Sequence, residues 1–204
     1  RNEVTPETQV LYSRGCNLHP DLPKRTTINE QYLNSQGKPG LTGEYFSNKD
    51  LKGSPVLVRT DNYIDYFWFD DTPAREIKRE NYSIRWKGNL IAPISGNYEL
   101  RVSGDDGFRL FIDGQLLLDK WQSQAMAGHS VFMNFVAGSE HSIVLEYFQE
   151  HGIAGIKLEW SLPETDIEKE AIEMAGKADM IIFVGGLSPK LEGEEMRVDL
   201  SGFR

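Results

Sequence analysis

The fold class is decided by the stretch Ser103-Gly104-Asp105-Asp106-Gly107-Phe108-Arg109-Leu110-Phe111-Ile112-Asp113-Gly114. Gly104 and Gly107 bracket two adjacent aspartates, and glycine suits tight turns that need a positive φ. From Phe108 to Ile112 the side chains alternate with a period of two, which is typical of a β-strand. Asp113-Gly114 is a strong hairpin signal, so Gln115-Leu116-Leu117-Leu118 is predicted to be the returning strand.

The acidic turn places the carboxylates of Asp105 and Asp106 side by side at one end of a predicted sheet. Two such carboxylates suit a hydroxyl-rich ligand or a hard cation such as calcium. They also suit a turn in which aspartate side chains accept hydrogen bonds from their own backbone. The sequence leaves both interpretations open.

The same alternating pattern runs from Gly40 to about Leu162 and predicts an all-β domain. Strands of five to eight residues are separated by turn residues at intervals of roughly 10 to 15, which is typical of a β-sandwich or barrel. The predicted strands outside the opening stretch are Leu41–Phe46, Tyr82–Leu90, Tyr98–Val102, Ser130–Phe135, His141–Phe148 and Gly155–Trp160.

The two flanks have a different character. Glu164-Thr165-Asp166 opens a predicted amphipathic helix, and Met180–Val184 is a short apolar run that predicts a buried parallel strand. At the other end a strand is predicted over Gln9–Cys16, followed by a long irregular connector. We therefore predict a β domain over residues 40–162, inserted between pieces of an α/β parallel-sheet domain at 1–39 and 163–204.

Composition excludes some partners. The 204 residues carry a net charge of −9, which argues against nucleic acid because phosphates need cationic side chains. No apolar run approaches the roughly 20 residues that span a bilayer, so no membrane partner is predicted. Cys16 is the single cysteine, which excludes an internal disulfide. We predict a secreted or periplasmic location.

An aromatic cluster interrupts the β pattern, with five aromatic residues among the nine of Tyr63–Asp71. Exposed aromatic rings can stack on the apolar faces of sugars, whereas buried ones build a core. The candidates for substrate contact are Phe67, Trp68, Phe69 and Trp121. Trp86 and Trp160 lie within alternating strands and are predicted to be core residues. The four histidines share no metal-ligand spacing, and no metal site is predicted from them.

The segment after Val184 reads Gly185-Gly186-Leu187-Ser188-Pro189-Lys190-Leu191-Glu192-Gly193-Glu194-Glu195-Met196. It resembles a loop of the C-terminal α/β domain of family-three glycoside hydrolases, the β-glucosidase and β-xylosidase family. By themselves these carboxylates fit either an acid/base site or an exposed acidic loop. The resemblance implies that Glu192 is the general acid/base, with Glu194 and Glu195 as alternatives. It also implies a nucleophilic aspartate on a barrel domain, to which nothing in this chain is similar.

Four stretches in the middle of the chain form a second set of motifs: Gly40–Phe46, Tyr82–Gly88, Ser95–Tyr98 and Asp105–Gly114. They resemble the protective-antigen-type, or PA-fourteen, domain, a β-sandwich often attached to carbohydrate-active proteins. In some family-three β-glucosidases such a domain borders the active site and shapes which sugars enter. In lectin-like relatives the paired aspartates bind calcium and a sugar, so calcium at Asp105 and Asp106 is the one cofactor implied.

Two functions follow as expectations. The first is a fragment of a retaining β-glycosidase whose inserted sandwich helps to select oligosaccharide or glycoside substrates. Its partner would be the remainder of the parent enzyme, which supplies the nucleophile. The alternative is a free-standing carbohydrate-binding or adhesive module that depends on calcium.

Overall fold

The computed structural model describes Gln9, Leu11, residues 25–69, 71–163 and 167–183, with the burial of side chains in the last range given from residue 171. The chain divides into two compact units, Lys24–Pro163 and the combination of Arg1–Pro23 with Glu164–Arg204. The first unit therefore begins well before the predicted domain start at residue 40. The reason is that the segment before residue 40 pairs with strands of the sandwich.

The Lys24–Pro163 unit is built from thirteen strands in the described ranges and one 3-10 turn, Glu30–Tyr32. The strands are β1 (Thr26–Thr27), β2 (Leu33–Ser35), β3 (Lys38–Pro39), β4 (Leu41–Phe46), β5 (Leu57–Asp61), β6 (Asp65–Phe67), β7 (Tyr82–Ile91), β8 (Gly96–Asp105), β9 (Gly107–Ile112), β10 (Gln115–Lys120), β11 (Ala127–Phe135), β12 (Glu140–Gln149) and β13 (Gly155–Ser161).

These strands form two antiparallel sheets. The five-stranded sheet has the order β1-β13-β8-β11, with β6 also paired to β13. The eight-stranded sheet has the order β10-β9-β12-β7-β2-β3, and β4 joins β7 to β5. The predicted antiparallel β-sandwich is thus confirmed, and all the strands predicted within residues 40–162 are present.

One apolar core fills the space between the sheets. Along β8 the side chains of Tyr98, Leu100 and Val102 are fully buried, while the residues between them face outward. Trp86 and Trp160 are 0% and 2% exposed, which confirms that they belong to the core. Burial of each such aromatic ring removes a large apolar area from water, and this stabilises the sandwich.

The acidic turn is a corner between the two sheets. β8 ends at Asp105 in the five-stranded sheet, and β9 begins at Gly107 in the eight-stranded sheet, so the chain crosses at Asp106. The hairpin predicted after Ile112 is confirmed, because Asp113 and Gly114 have φ values of 50° and 77°. Two consecutive positive φ angles are the signature of the favoured two-residue hairpin turn.

Outside the sandwich the structure describes the predicted helix, α1 (Ile167–Ala175). The buried parallel strand predicted over Met180–Val184 is wrong for its described part. Residues Met180–Phe183 form no strand and are 67–89% exposed. A buried parallel strand needs neighbouring strands and covering helices, and among the described residues no strand pairs with this segment.

The strand predicted over Gln9–Cys16 lies largely outside the described residues, and the acidic loop with Glu192, Glu194 and Glu195 lies wholly outside them. Within the described ranges no helix has the length and apolar character needed to cross a bilayer.

Candidate functional site

Asp106 organises the corner between the sheets by accepting backbone hydrogen bonds. Its Oδ2 accepts the N–H groups of Glu150 and His151 at 2.7 and 3.3 Å, and its Oδ1 accepts the N–H of Gln124 at 3.2 Å. The side chain of Gln124 donates in return to the carbonyl of Asp106 at 3.3 Å. Because Asp106 is only 5% exposed, these amides replace the water that its carboxylate has lost.

The carboxylate of Asp105 is more accessible to solvent than that of Asp106 and accepts fewer hydrogen bonds. Its Oδ2 accepts the N–H of Met126 at 3.1 Å, and its carbonyl accepts the Tyr147 hydroxyl at 2.5 Å. The peptide bond between Asp105 and Asp106 is cis. Partial burial raises the pKa of the Asp105 carboxyl above its ordinary value, and the nearby charge of Asp106 raises it further. A carboxylate whose charge is disfavoured in this way can gain from hydrogen-bond donors on a ligand.

Phe67 lies next to Asp105 across a glycine. In the five-stranded sheet Gly155 of β13 is paired with Phe67 on one side and with Asp105 on the other. A Cβ atom on Gly155 would lie 3.1 Å from Cδ2 of Phe67 and 2.7 Å from Cε of Met126, so these side chains overhang the glycine. We call Phe67, Asp105, Met126 and Gly155 the corner patch.

The corner patch combines two kinds of contact. Phe67 and Met126 are 63% and 46% exposed, so an apolar ring and a thioether face solvent beside a carboxylate. Phe69 extends the apolar part, because its ring centroid lies 6.2 Å from that of Phe67. An apolar surface next to a hydrogen-bond acceptor can hold a molecule that has both an apolar face and hydroxyl donors.

The other two predicted contact residues lie elsewhere. Trp68 is half-buried, with its ring stacked on Tyr66 at 5.1 Å, and Tyr66 is stacked in turn on Trp86 of the core at 6.3 Å. Trp121 is held between the ring of Phe148 and the guanidinium of Arg109, which lies 4.1 Å from its centroid. The structure thus brings Phe67 and Asp105 together and places Trp68 and Trp121 outside the corner patch.

Sequence reasoning missed Met126 and Gly155. Neither belongs to a recognisable motif, and their role depends on which strands are neighbours. The register between β6, β13 and β8 is set when the sheet folds, and it cannot be predicted from the local alternation of side chains.

The corner supplies few of the ligands that calcium prefers. Calcium takes six to eight oxygens, whereas both oxygens of Asp106 and one of Asp105 already accept backbone amides. In the described ranges no three or more histidine, cysteine, aspartate and glutamate residues are grouped so that they could hold a metal ion. The described residues therefore supply only part of a calcium coordination shell, and calcium at this corner stays a prediction.

A second polar constellation joins Asp113, His141 and Ser139. His141 Nδ1 lies 2.7 Å from Asp113 Oδ2, and its Nε2 lies 2.8 Å from Ser139 Oγ. Nucleophilic catalysis would also need free N–H groups for an oxyanion. The adjacent N–H groups of Gly138 and Ser139 already donate to carbonyls at 2.7 and 3.0 Å, so they are not free for that role. What the structure shows is a hydrogen-bonded link between the turn after β9 and the start of β12.

Comparison with known protein families identifies the sandwich. A family model of the PA14 (PA-fourteen) domain matches residues 37–172, two thirds of the chain. The chain belongs to the PA14 domain family. The match starts close to β3 and ends within α1, so it includes most of the described sandwich and the corner patch.

Relatives of this PA14 chain fall into two groups. The anti-sigma-I factor RsgI3 of Acetivibrio thermocellus is 41% identical over 122 residues, which cover 60% of this chain and 19% of that protein. A xylan 1,4-β-xylosidase of Xylanibacter ruminicola is 24% identical over 208 residues, which cover 97% of this chain and 23% of that enzyme. Curated β-glucosidases are also among the relatives.

A solved structure shows the same fold. The crystal structure of a β-glucosidase from Kluyveromyces marxianus in complex with glucose matches with a TM-score of 0.61 at 16% identity, covering 84% of this chain and 22% of that one. The chain spans about a fifth to a quarter of the length of the curated relatives it matches.

Proposed function

We propose that this chain is the PA14-bearing segment of a β-glycosidase of the β-glucosidase and β-xylosidase type. The observation that carries the proposal is the extent of the similarity. The β-xylosidase alignment covers 97% of the chain and so includes residues on both flanks of the sandwich. The alignment with the anti-sigma factor has a higher identity but covers only 60% of the chain. Similarity that continues beyond the sandwich supports a common host protein.

In this proposal the sandwich shapes which carbohydrates reach the active site. The corner patch supports that role because Phe67 offers an exposed ring and Asp105 offers a carboxylate on the same sheet face. A pyranose has apolar C–H faces and hydroxyl donors at its edge, so one sugar unit could contact both groups. Hydrogen bonds from hydroxyls to a charged carboxylate are stronger than neutral ones.

The corner patch is tested in the full-length protein that carries this chain. We expect Phe67→Ala to lower kcat/KM for oligosaccharides by about tenfold, the equivalent of about 1.4 kcal/mol of binding free energy. Turnover of a small aryl glycoside should stay within twofold of the wild type, because this substrate does not extend beyond the reaction centre. Val58→Ala is the control, because Val58 is an exposed apolar residue of the eight-stranded sheet and lies outside the corner patch. Equal losses on both substrates would contradict the proposal.

The chemical step is proposed to use Glu192 as general acid/base. A retaining glycosidase needs a second carboxyl group about 5 Å away as nucleophile, and no residue of this chain is proposed for that role. Glu192→Gln should abolish turnover of substrates with poor leaving groups while sparing the formation of the glycosyl-enzyme from an activated aryl glycoside. Unchanged turnover of both substrate types would reject Glu192 and direct the same test to Glu194 and Glu195.

A second candidate function is a carbohydrate-binding module outside any glycosidase. It is favoured by the 41% identity of the sandwich to part of an anti-sigma factor, which indicates that this sandwich occurs in different host proteins. Calorimetric titration of the 204-residue chain with xylohexaose, cellohexaose and calcium chloride tests it. Binding of a hexaose that is lost in Asp105→Asn and in Phe67→Ala would favour the module. A calcium signal that is lost in Asp105→Asn would favour a calcium-dependent one.

A further inference from the structure

Strand β11 is a free edge of the five-stranded sheet. Its nine residues pair with β8 on one side, and no other described strand pairs with them. The backbone N–H and C=O groups on its other side have no hydrogen-bond partner among the described residues. A long free edge is able to pair with a strand of another chain.

Most edges of this sandwich are protected against such pairing, and β11 is the exception. β3 is a two-residue strand of lysine and proline, β5 carries Arg59 and Asp61, and β10 ends with Asp119 and Lys120. Charged residues, proline and short length are the usual features that prevent edge-to-edge association. β11 has the sequence Ala-Gly-His-Ser-Val-Phe-Met-Asn-Phe, without proline, lysine, arginine, aspartate or glutamate.

The outward side of β11 is apolar at its centre. Phe132 is 63% exposed although it lies within a strand, and Val136 directly after the strand is 68% exposed. The neighbouring outward residues, Ser130 and Asn134, are small or neutral. The chain as a whole has a net charge of −9, so two copies repel each other over most of their surfaces. A neutral edge is the place where that repulsion is weakest.

We propose that β11 pairs with β11 of a second copy of this chain, in an antiparallel arrangement with two-fold symmetry. An isologous interface must place each residue opposite a fixed partner. With Phe132 opposite Phe132 of the second copy, Ser130 faces Asn134 and the paired segment remains within β11. This register buries the two exposed rings against each other, and aromatic cross-strand pairs stabilise β-sheets. The two five-stranded sheets then form one continuous sheet.

A single strand pair buries less surface than a standard protein interface, so we expect a dissociation constant of the dimer no tighter than about the micromolar range. Sedimentation equilibrium of the 204-residue chain from about 1 μM to about 1 mM should show a monomer–dimer equilibrium. Phe132→Lys should reduce the dimer fraction at least tenfold, with an unchanged far-UV circular dichroism spectrum. Leu116→Lys, on the charged edge β10, is the matched control and should dimerise like the wild type.

Cross-linking tests the register independently of any effect on folding. In a Cys16→Ser background, Phe132→Cys should form a disulfide-linked dimer on mild oxidation, because opposite Cβ atoms lie about 5 Å apart. Ser130→Cys should not, because residue 130 would face residue 134 of the second copy. A chain that is monomeric throughout the concentration range would overturn the proposal and leave β11 to be covered by another segment of a longer protein. Equal cross-linking of both variants would also overturn it.

Discussion

Asp106 Oδ2 accepts the backbone N–H of Glu150 at 2.7 Å, although 44 positions separate the two residues in the sequence. The same carboxylate accepts the N–H groups of Gln124 and His151, so one side chain ties β8 and β9 to the loops after β10 and β12. The main structural role of the acidic motif is therefore to join the loops at one end of the sandwich by hydrogen bonds. The neighbouring Asp105 is the residue of the pair that remains partly open to solvent.

Replacing Asp106 should unfold the sandwich at lower denaturant concentration. Asp106→Ala leaves as many as three N–H groups without their acceptor, and each unsatisfied buried donor costs about 1–3 kcal/mol. Allowing for water that takes over some of these bonds, we expect a loss of about 2–4 kcal/mol in the free energy of unfolding. Asp105→Ala removes a single amide contact and should cost about 1 kcal/mol or less. Urea denaturation followed by tryptophan fluorescence measures both variants, and equal losses would contradict this division of roles.

Gly107 should not tolerate a methyl group. A Cβ atom there would lie 2.2 Å from Cε1 of Phe148 and 2.9 Å from the carbonyl oxygens of Lys120 and Gln122. Because two of these neighbours are backbone atoms, we expect Gly107→Ala to destabilise the protein by about 2–3 kcal/mol. Gly128→Ala is the control, since its Cβ would meet only the movable end of the Arg101 side chain. Its unfolding free energy should stay within about 0.5 kcal/mol of the wild type, so a larger loss than for Gly107→Ala would refute the steric argument.

The same glycine shows what the sequence could and could not predict. Alternation from Phe108 to Ile112 and the Asp113-Gly114 turn predicted a strand and a hairpin, because both depend on local geometry. The sequence predicts that Gly107 adopts a positive φ, and the structure shows that it does not. Glycine is needed there because a side chain would clash with its neighbours. That requirement comes from Phe148 on another strand, and a local pattern does not contain it.

The corner patch was partly predictable for a similar reason. Phe67 and Asp105 could be chosen as candidates from residue type, but their position on either side of Gly155 depends on the order β6-β13-β8. Trp68 was chosen by the same criterion, and the structure stacks it on Tyr66. Adjacent aromatics in the sequence point to opposite faces of a strand, so one of them faces the core and the next faces solvent.

Asp105→Asn should stabilise the protein at neutral pH. Burial and the charge of Asp106 raise the pKa of Asp105 in the folded state, so the unfolded state releases this proton first as the pH rises. The free energy of unfolding therefore falls as the pH rises from the unfolded pKa of Asp105, about 3.9, to its folded pKa. Above the folded pKa the full loss of stability remains. An asparagine keeps an oxygen for the Met126 N–H but carries no charge. The melting temperature of Asp105→Asn should exceed that of the wild type at pH 7 but not at pH 3. An increase of equal size at both pH values would contradict the electrostatic cause.

Arg25 should stabilise the sandwich through Glu99, and the effect should disappear in acid. The Arg25 guanidinium donates to the Glu99 carboxylate at 2.7 and 3.1 Å, and this contact lowers the pKa of Glu99. A lowered carboxyl pKa adds stability that is complete above the unfolded pKa, about 4.3, and is lost as the pH falls through the folded value.

We expect Arg25→Met to cost about 1 kcal/mol at pH 7, because the pair is partly buried and joined by several hydrogen bonds. The difference from the wild type should shrink toward zero as urea denaturation is repeated at lower pH, down to about pH 2.5. Lys52→Met removes the exposed pair with Asp50 and should change stability by less than about 0.5 kcal/mol throughout. A constant difference between Arg25→Met and the wild type at every pH would mean that the arginine acts through packing and that its charge does not contribute.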